Sequence, residues 1–215
     1  MNISDKYPYI VVEGPIGSGK TTLAKRLADR LPAQLLLENA GENPFLAKFY
    51  ENPERHALAT QLFFLFQRTE QLRNLSQRDL FGGATIADYF LEKDPLFARL
   101  TLKDEEFALY RNIYQHLQVQ VTPPDLVIYL QTPVEALLDR INKRGIGYEQ
   151  SINREYLEKL SAGYTDLFHH YEASPLLIVN NEHLDVGASD AALDLLMDRI
   201  LRIRSQREYF NPNLQ

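Results

Sequence analysis

Five short, nearly uniform apolar runs recur along the chain, each followed by a longer stretch in which apolar residues return every three or four positions. The runs are 10–12, 34–37, 84–87, 126–130 and 176–179. Uniform apolar character over so few residues predicts strands covered on both faces, and the 3.6-residue period between them predicts amphipathic helices. Leu23, Leu27 and Leu31 mark the first helix; Leu58, Leu62, Phe63, Leu65, Phe66, Leu72 and Leu75 mark a long one over 55–76. Further helical stretches cover 97–117, 133–142, 156–171 and 190–204, and Phe45 to Tyr50 forms a short one stopped at Asn52-Pro53. Strand and helix in alternation predict a three-layer α/β fold: a five-stranded parallel sheet with helices on both faces. A chain of 215 residues suffices for one such domain, 1–215, and not for two.

The junction of the first strand and first helix carries chemistry. Gly14-Pro15-Ile16-Gly17-Ser18-Gly19-Lys20-Thr21 fits G-x-x-x-x-G-K-[ST] at every fixed position, in the strand-loop-helix setting of a phosphate-binding P-loop. Gly14, Gly17 and Gly19 let backbone N–H groups turn inward around a polyphosphate, and the helix opening at Lys20 adds its positive dipole end. Gly14 to Thr22 therefore reads as the seat of the ATP phosphates, with Lys20 on the β- and γ-phosphates and the Thr21 hydroxyl on Mg²⁺.

Charge narrows the partners. Twenty-nine acidic against 23 basic residues leave a net charge of −6, which argues against nucleic acid and is compatible with a small phosphorylated ligand in a locally basic pocket. Without cysteine there is neither a disulfide frame nor a thiolate metal site. The opening MNISDKYPY lacks a basic-then-apolar signal pattern, and the apolar runs are too short to span a bilayer, so a cytoplasmic protein with no membrane partner is expected.

Polar residues at the ends of the runs extend the site. Glu38 follows the second strand and Asp88 the third, at the carboxyl edge that lines the ligand crevice of open α/β sheets. An acid at 88 is where a P-loop enzyme needs a Mg²⁺ partner opposite Thr21. Gln61 and Arg68, seven residues apart, share one helix face that looks into a pocket or into solvent. Arg140, Lys143 and Arg144 precede Gly145; they form a flap over phosphates, about 140–152, or a helix end complementing its own dipole. His169-His170 has no partner at metal spacing and reads as surface. The N-K-x-D guanine motif is absent, since Asn142-Lys143 continues into Arg144-Gly145. Size and the basic segment favour a small-molecule kinase over a motor or switch.

At these residues the chain resembles the deoxynucleoside kinase family, and most of all its bacterial deoxyadenosine and deoxyguanosine kinases, from the P-loop to the last strand. The resemblance implies a general base at Glu38. It implies a sugar 3′-hydroxyl contact at Tyr50, eleven residues before Gln61, with Gln61 and Arg68 facing the base. The flap pattern R-x-x-x-R-G-x-x-x-E falls on Arg140, Arg144, Gly145 and Glu149, and implies that the arginines act on the phosphates while Glu149 shares the 3′-hydroxyl with Tyr50. A purine deoxynucleoside as acceptor, ATP as donor, Mg²⁺ and a homodimer follow from the same likeness. His183-Leu184 is expected near the donor adenine.

The chain also departs from the family. Where an acid-Arg-Ser sequence is common, it reads Asp88-Tyr89-Phe90, so Arg68 or a flap arginine must take over the contact with the Glu38 carboxylate, or that carboxylate is oriented differently. Ile146 stands where some relatives carry another flap arginine, and the part of Asp94 in the base pocket is open. Two other readings stay in play: a kinase of nucleoside monophosphates or other metabolites, which needs extra arginines for an acceptor phosphate, and a P-loop ATPase or switch acting on a protein.

Overall fold

A computed structural model of the chain describes residues 2–78, 83–118, 122–182 and 189–211. The expected alternation is present. After a short helix α1 (Ile3–Lys6) come β1 (Tyr9–Glu13), α2 (Lys20–Arg30), β2 (Gln34–Leu36), α3 (Leu46–Glu51) and α4 (Pro53–Arg78). Then follow β3 (Thr85–Ala87), α5 (Asp94–Thr101), α6 (Asp104–Gln118), β4 (Leu126–Gln131), α7 (Val134–Arg144), α8 (Arg154–His169), β5 (Leu176–Asn180), α9 (Asp190–Leu201) and β6 (Arg207–Phe210).

The sheet is parallel and, among the described residues, has six strands in the order β2-β3-β1-β4-β5-β6, one more than the apolar runs predict. The sixth, Arg-Glu-Tyr-Phe, escapes the pattern because it is an edge strand: it pairs with β5 on one side only, and none of its residues is fully buried. The long stretch 97–117 is two helices, broken at Leu102-Lys103, and Asp104, Glu105 and Glu106 open the second where acids complement the helix dipole.

Alternating strand residues feed two separate cores. Val11, Val127, Tyr129, Leu176 and Ile178 point to one face and pack with Leu65, Leu137, Leu160 and Tyr164. Ile10, Val12, Ile128, Leu130 and Val179 point to the other and pack with Leu23, Leu27, Leu193 and Leu196. Both faces are thus covered, as a parallel sheet requires. From β1 the chain first fills the β2-β3 side, then crosses to β4, so β1 sits where the strand order reverses and its carboxyl end opens the crevice. Among the described residues no helix is long and apolar enough to cross a membrane.

Candidate active site

The phosphate loop follows β1. Gly17 and Gly19 hold φ of 85° and 88°, a left-handed backbone that only glycine adopts without strain, and a Cβ at 17 would also stand 3.0 Å from the carbonyl of Leu137. Gly19 caps α2, so the free N–H groups of that helix start face the cradle. The loop is braced from behind: the Asn181 amide donates to the carbonyl of Ser18 at 2.7 Å and to the Thr132 hydroxyl at 3.0 Å. Arg140 donates to the carbonyls of Ser18 (3.4 Å) and Asn181 (3.1 Å), so this flap arginine is engaged with the back of the loop. Lys20 donates to the carbonyl of Pro15 at 3.4 Å; loss of water around it, then the charge of Lys93, lower its pKa against the pull of Glu13, Glu38 and Asp88.

Three adjacent strands deliver acids to the same edge: Glu13 ends β1, Asp88 follows β3, and Glu38 comes after β2. Asp88 joins the other two elements of the site. Its Oδ2 accepts from the Thr21 hydroxyl and its Oδ1 accepts the Glu38 backbone N–H at 2.7 Å. The expected meeting of Thr21 and Asp88 is therefore realised.

Glu38 is surrounded by cations. Arg68 donates to its Oε1 through Nε at 2.8 Å and through Nη2, while Nη1 of the same guanidinium is held by Asp94. Lys93 stands 3.3 Å from its Oε2. Burial alone would raise this carboxyl, but the charges of Arg68, Lys93 and Lys20 outweigh it and hold the group well below the usual carboxylate range. Asp94 is 1% exposed, and burial pushes it up to about 6 even beside Arg68 and Lys93. Arg68 thus supplies the contact that Tyr89 cannot make, and Asp94 is its buried counter-ion.

One cleft gathers Ile16, Lys20, Glu38, Tyr50, Gln61, Arg68 and Glu149, with apolar walls that include Phe49, Phe64 and Phe97. One face of α4 carries the polar pair: Gln61 and Arg68, two turns apart, both face inward and are 5% exposed. The Gln61 amide donates to the Thr101 hydroxyl at 3.2 Å. The Tyr50 ring stacks on Tyr148 at 5.6 Å, and burial, then Tyr156 and Glu149, keep its hydroxyl a neutral phenol. Glu149, in the 3₁₀ turn Gly147–Ser151, accepts from Arg144 at 3.1 and 2.5 Å. Its hydrogen-bond partner is therefore the flap arginine, with Tyr50 close by in the same cleft. The pair His183-Leu184 lies outside the described residues, and His169-His170 ends α8 exposed, as expected.

Three residues of the site went unread in the sequence: Glu13, Lys93 and Asn181. Glu13 closes the first strand and Asn181 comes directly after the fifth, so their place beside the loop was available from the same edge rule that singled out Glu38 and Asp88. Lys93, in the turn before α5, carries no such signal.

A family model described as "Deoxynucleoside kinase" matches residues 10–203. The chain is 39% identical to a deoxyguanosine kinase of Bacillus subtilis over 158 residues, which cover 73% of this chain and 76% of that one. It is 29% identical to a deoxyadenosine/deoxycytidine kinase of the same organism, over 92% of this chain and 94% of that one. Among solved structures, a deoxyadenosine kinase of M. mycoides with bound dCTP superposes with a TM-score of 0.78 at 26% identity, covering 90% of this chain and 99% of that one.

Proposed function

The chain belongs to the deoxynucleoside kinase family, enzymes that draw a phosphoryl group from a nucleotide donor, and on that footing we propose that it transfers the γ-phosphoryl group of ATP to the 5′-hydroxyl of a purine deoxynucleoside, with Glu38 as the general base. The observation that supports this most is the convergence of Lys20, Glu38, Tyr50, Gln61, Arg68 and Glu149 on one cleft beside the phosphate loop.

The acceptor hydroxyl lies between Glu38 and the loop. A sugar hydroxyl is a weak nucleophile; a positioned carboxylate that takes its proton as the new P–O bond forms contributes about 10²–10⁴-fold. Because its cations keep Glu38 ionised, it is available as an acceptor at neutral pH, although they also make it a weak base. The larger share comes from alignment with the γ-phosphorus and from Lys20 and the flap cation Arg144 facing the spreading charge. Arg140 contributes by holding the loop through Ser18.

Thr21 and Asp88 set a hydroxyl and a carboxylate side by side, a hard-oxygen donor set that fits Mg²⁺, an ion that leaves its other positions to phosphates and water. Among the described residues no cluster of three or more His, Cys, Asp or Glu offers a self-sufficient metal cage, which suits an ion held chiefly by the donor. Bound there, it would neutralise charge on the β- and γ-oxygens. Turnover that survives removal of divalent cations would refute this part.

Tyr50 donates from a neutral phenol and Glu149 accepts, a pair matched to one sugar hydroxyl, the 3′. Gln61 offers one donor and one acceptor to an amide-type base edge, with Arg68 beside it. The purine assignment follows the likeness to a deoxyguanosine kinase, the stronger of the two curated likenesses above. An acceptor that already carries a phosphate is disfavoured, because Arg68 is taken up by Glu38 and Asp94. We further propose a homodimer through α4 and α6, whose Phe66 and Leu109 are 53% and 50% exposed; sedimentation as a monomer at micromolar concentration would refute it.

Turnover of the four deoxynucleosides with ATP and Mg²⁺ tests the whole reading. Deoxyguanosine or deoxyadenosine should give the highest kcat/KM. Deoxycytidine or thymidine in first place would remove the purine assignment, and no turnover of any by the folded protein would remove the reaction.

A further inference from the structure

Lys93 occupies a place that the reaction described above does not explain. It ends the 3₁₀ turn Leu91–Lys93, between β3 and α5, and is 2% exposed, in a chain where most lysines reach solvent. Its ammonium stands between two carboxylates, 3.2 Å from Oε2 of Glu13 and 3.3 Å from Oε2 of Glu38. Burial alone would lower its pKa, but Glu13 and Glu38 outweigh it and raise the pKa, so the bridge is a charged one.

The far end of the bridge is fixed. Glu13 is wholly buried, and its other oxygen accepts the backbone N–H of Gly14 at 2.7 Å and the Tyr164 hydroxyl at 2.9 Å. Gly14 is the first residue of the phosphate loop, so the anchor of Lys93 is the root of the donor cradle. The near end is the carboxylate whose Oε1 is already gripped by Arg68. With Arg68 on one oxygen and Lys93 on the other, rotation of the Glu38 carboxylate is blocked from both sides, and its position is tied to the loop through Glu13. Tyr89, buried alongside, offers no charge for this purpose. A lysine that merely neutralised Glu13 would have no reason to line the substrate cleft together with Lys20 and Glu38, as this one does.

We propose that Lys93 is a positioning residue for phosphoryl transfer: held by Glu13 at the root of the phosphate loop, its ammonium fixes Oε2 of Glu38 so that the base and the triphosphate cradle keep one relative geometry. The inference rests on the reading of Glu38 as the base.

The test compares Lys93→Met, Lys93→Arg and Glu38→Gln with the parent protein, using ATP, Mg²⁺ and whichever purine deoxynucleoside the parent prefers. Lys93→Met should lower kcat roughly a hundredfold, the scale of a misaligned reacting group, with the KM of the deoxynucleoside within about threefold. Lys93→Arg, which keeps the charge, should recover most of kcat. If Lys93→Met does not fold, the pair Glu13→Gln/Lys93→Met removes the opposed buried charges together and carries the same readouts. A kcat within about threefold of the parent, or equal losses in the Met and Arg variants, would overturn the proposal. Retained turnover in Glu38→Gln would instead overturn the role of Glu38, so the two failures are distinguishable.

Discussion

Arg68 and Glu38 are joined at a single atom: Nε of the guanidinium lies 2.8 Å from Oε1, and Nη2 reaches the same oxygen. Nη1 is meanwhile held by the buried carboxyl of Asp94. A fork with donors on both sides can join two carboxylates in this way, and an ammonium on a flexible stem cannot reproduce it. Arg68→Lys should therefore fold but lose at least tenfold in kcat, while Arg68→Ala, which takes the ion-pair partner from the buried Asp94 and leaves Glu38 with Lys93, should lose about 3–5 kcal/mol of stability. Thermal melts beside steady-state rates check both; an Arg68→Lys variant with parental kcat would show that the fork geometry is dispensable.

Tyr50 contributes an O–H to the cleft and little else that is polar, since burial keeps it neutral. Tyr50→Phe should weaken a 3′-hydroxylated acceptor by about 0.5–1.5 kcal/mol, up to roughly tenfold in KM. A 2′,3′-dideoxynucleoside, lacking the partner, should be unaffected. Equal losses for both acceptors would place Tyr50 elsewhere in recognition.

Much of this arrangement was legible in the sequence because it sits where strands end. The P-loop, Glu38 and Asp88 all follow apolar runs, and the edge of a parallel sheet collects them whatever the strand order. The seven-residue spacing put Gln61 and Arg68 on one face of α4, while the inward aim of that face came only with the fold, where both are buried. The sheet order itself, and β6 with its Arg207 and Glu208, left no periodic trace: an edge strand covered on one side need not be apolar. Lys93 was hidden for another reason. A lysine in a turn reads as solvated, and only the folded chain brings Glu13 and Glu38, 25 residues apart in sequence, within reach of one ammonium.

Glu92, next to Lys93, is partly buried, and burial, with Asp94 and Glu13 nearby, pushes it up to about 7. The folded state thus binds its proton more tightly than the unfolded chain does. Its stabilising contribution is complete below about pH 4.5 and is lost as the pH rises through 7. Glu92→Gln should accordingly gain stability relative to the parent between pH 5 and 8, on the order of 1 kcal/mol after allowance for partial exposure. A difference in Tm that stays constant over that range would contradict the shift.

The most direct measurement is the single-turnover rate of Glu38→Gln, taken with its affinity for the deoxynucleoside. Glutamine preserves shape and one acceptor oxygen for Arg68, turns an amide NH₂ toward Lys93 and cannot take the hydroxyl proton, so the transfer rate should fall by about 10²–10⁴-fold while the Kd of the deoxynucleoside stays within roughly tenfold. Transfer at close to the parental rate, or lost binding with transfer intact, would contradict the central claim that this carboxylate acts on the acceptor hydroxyl.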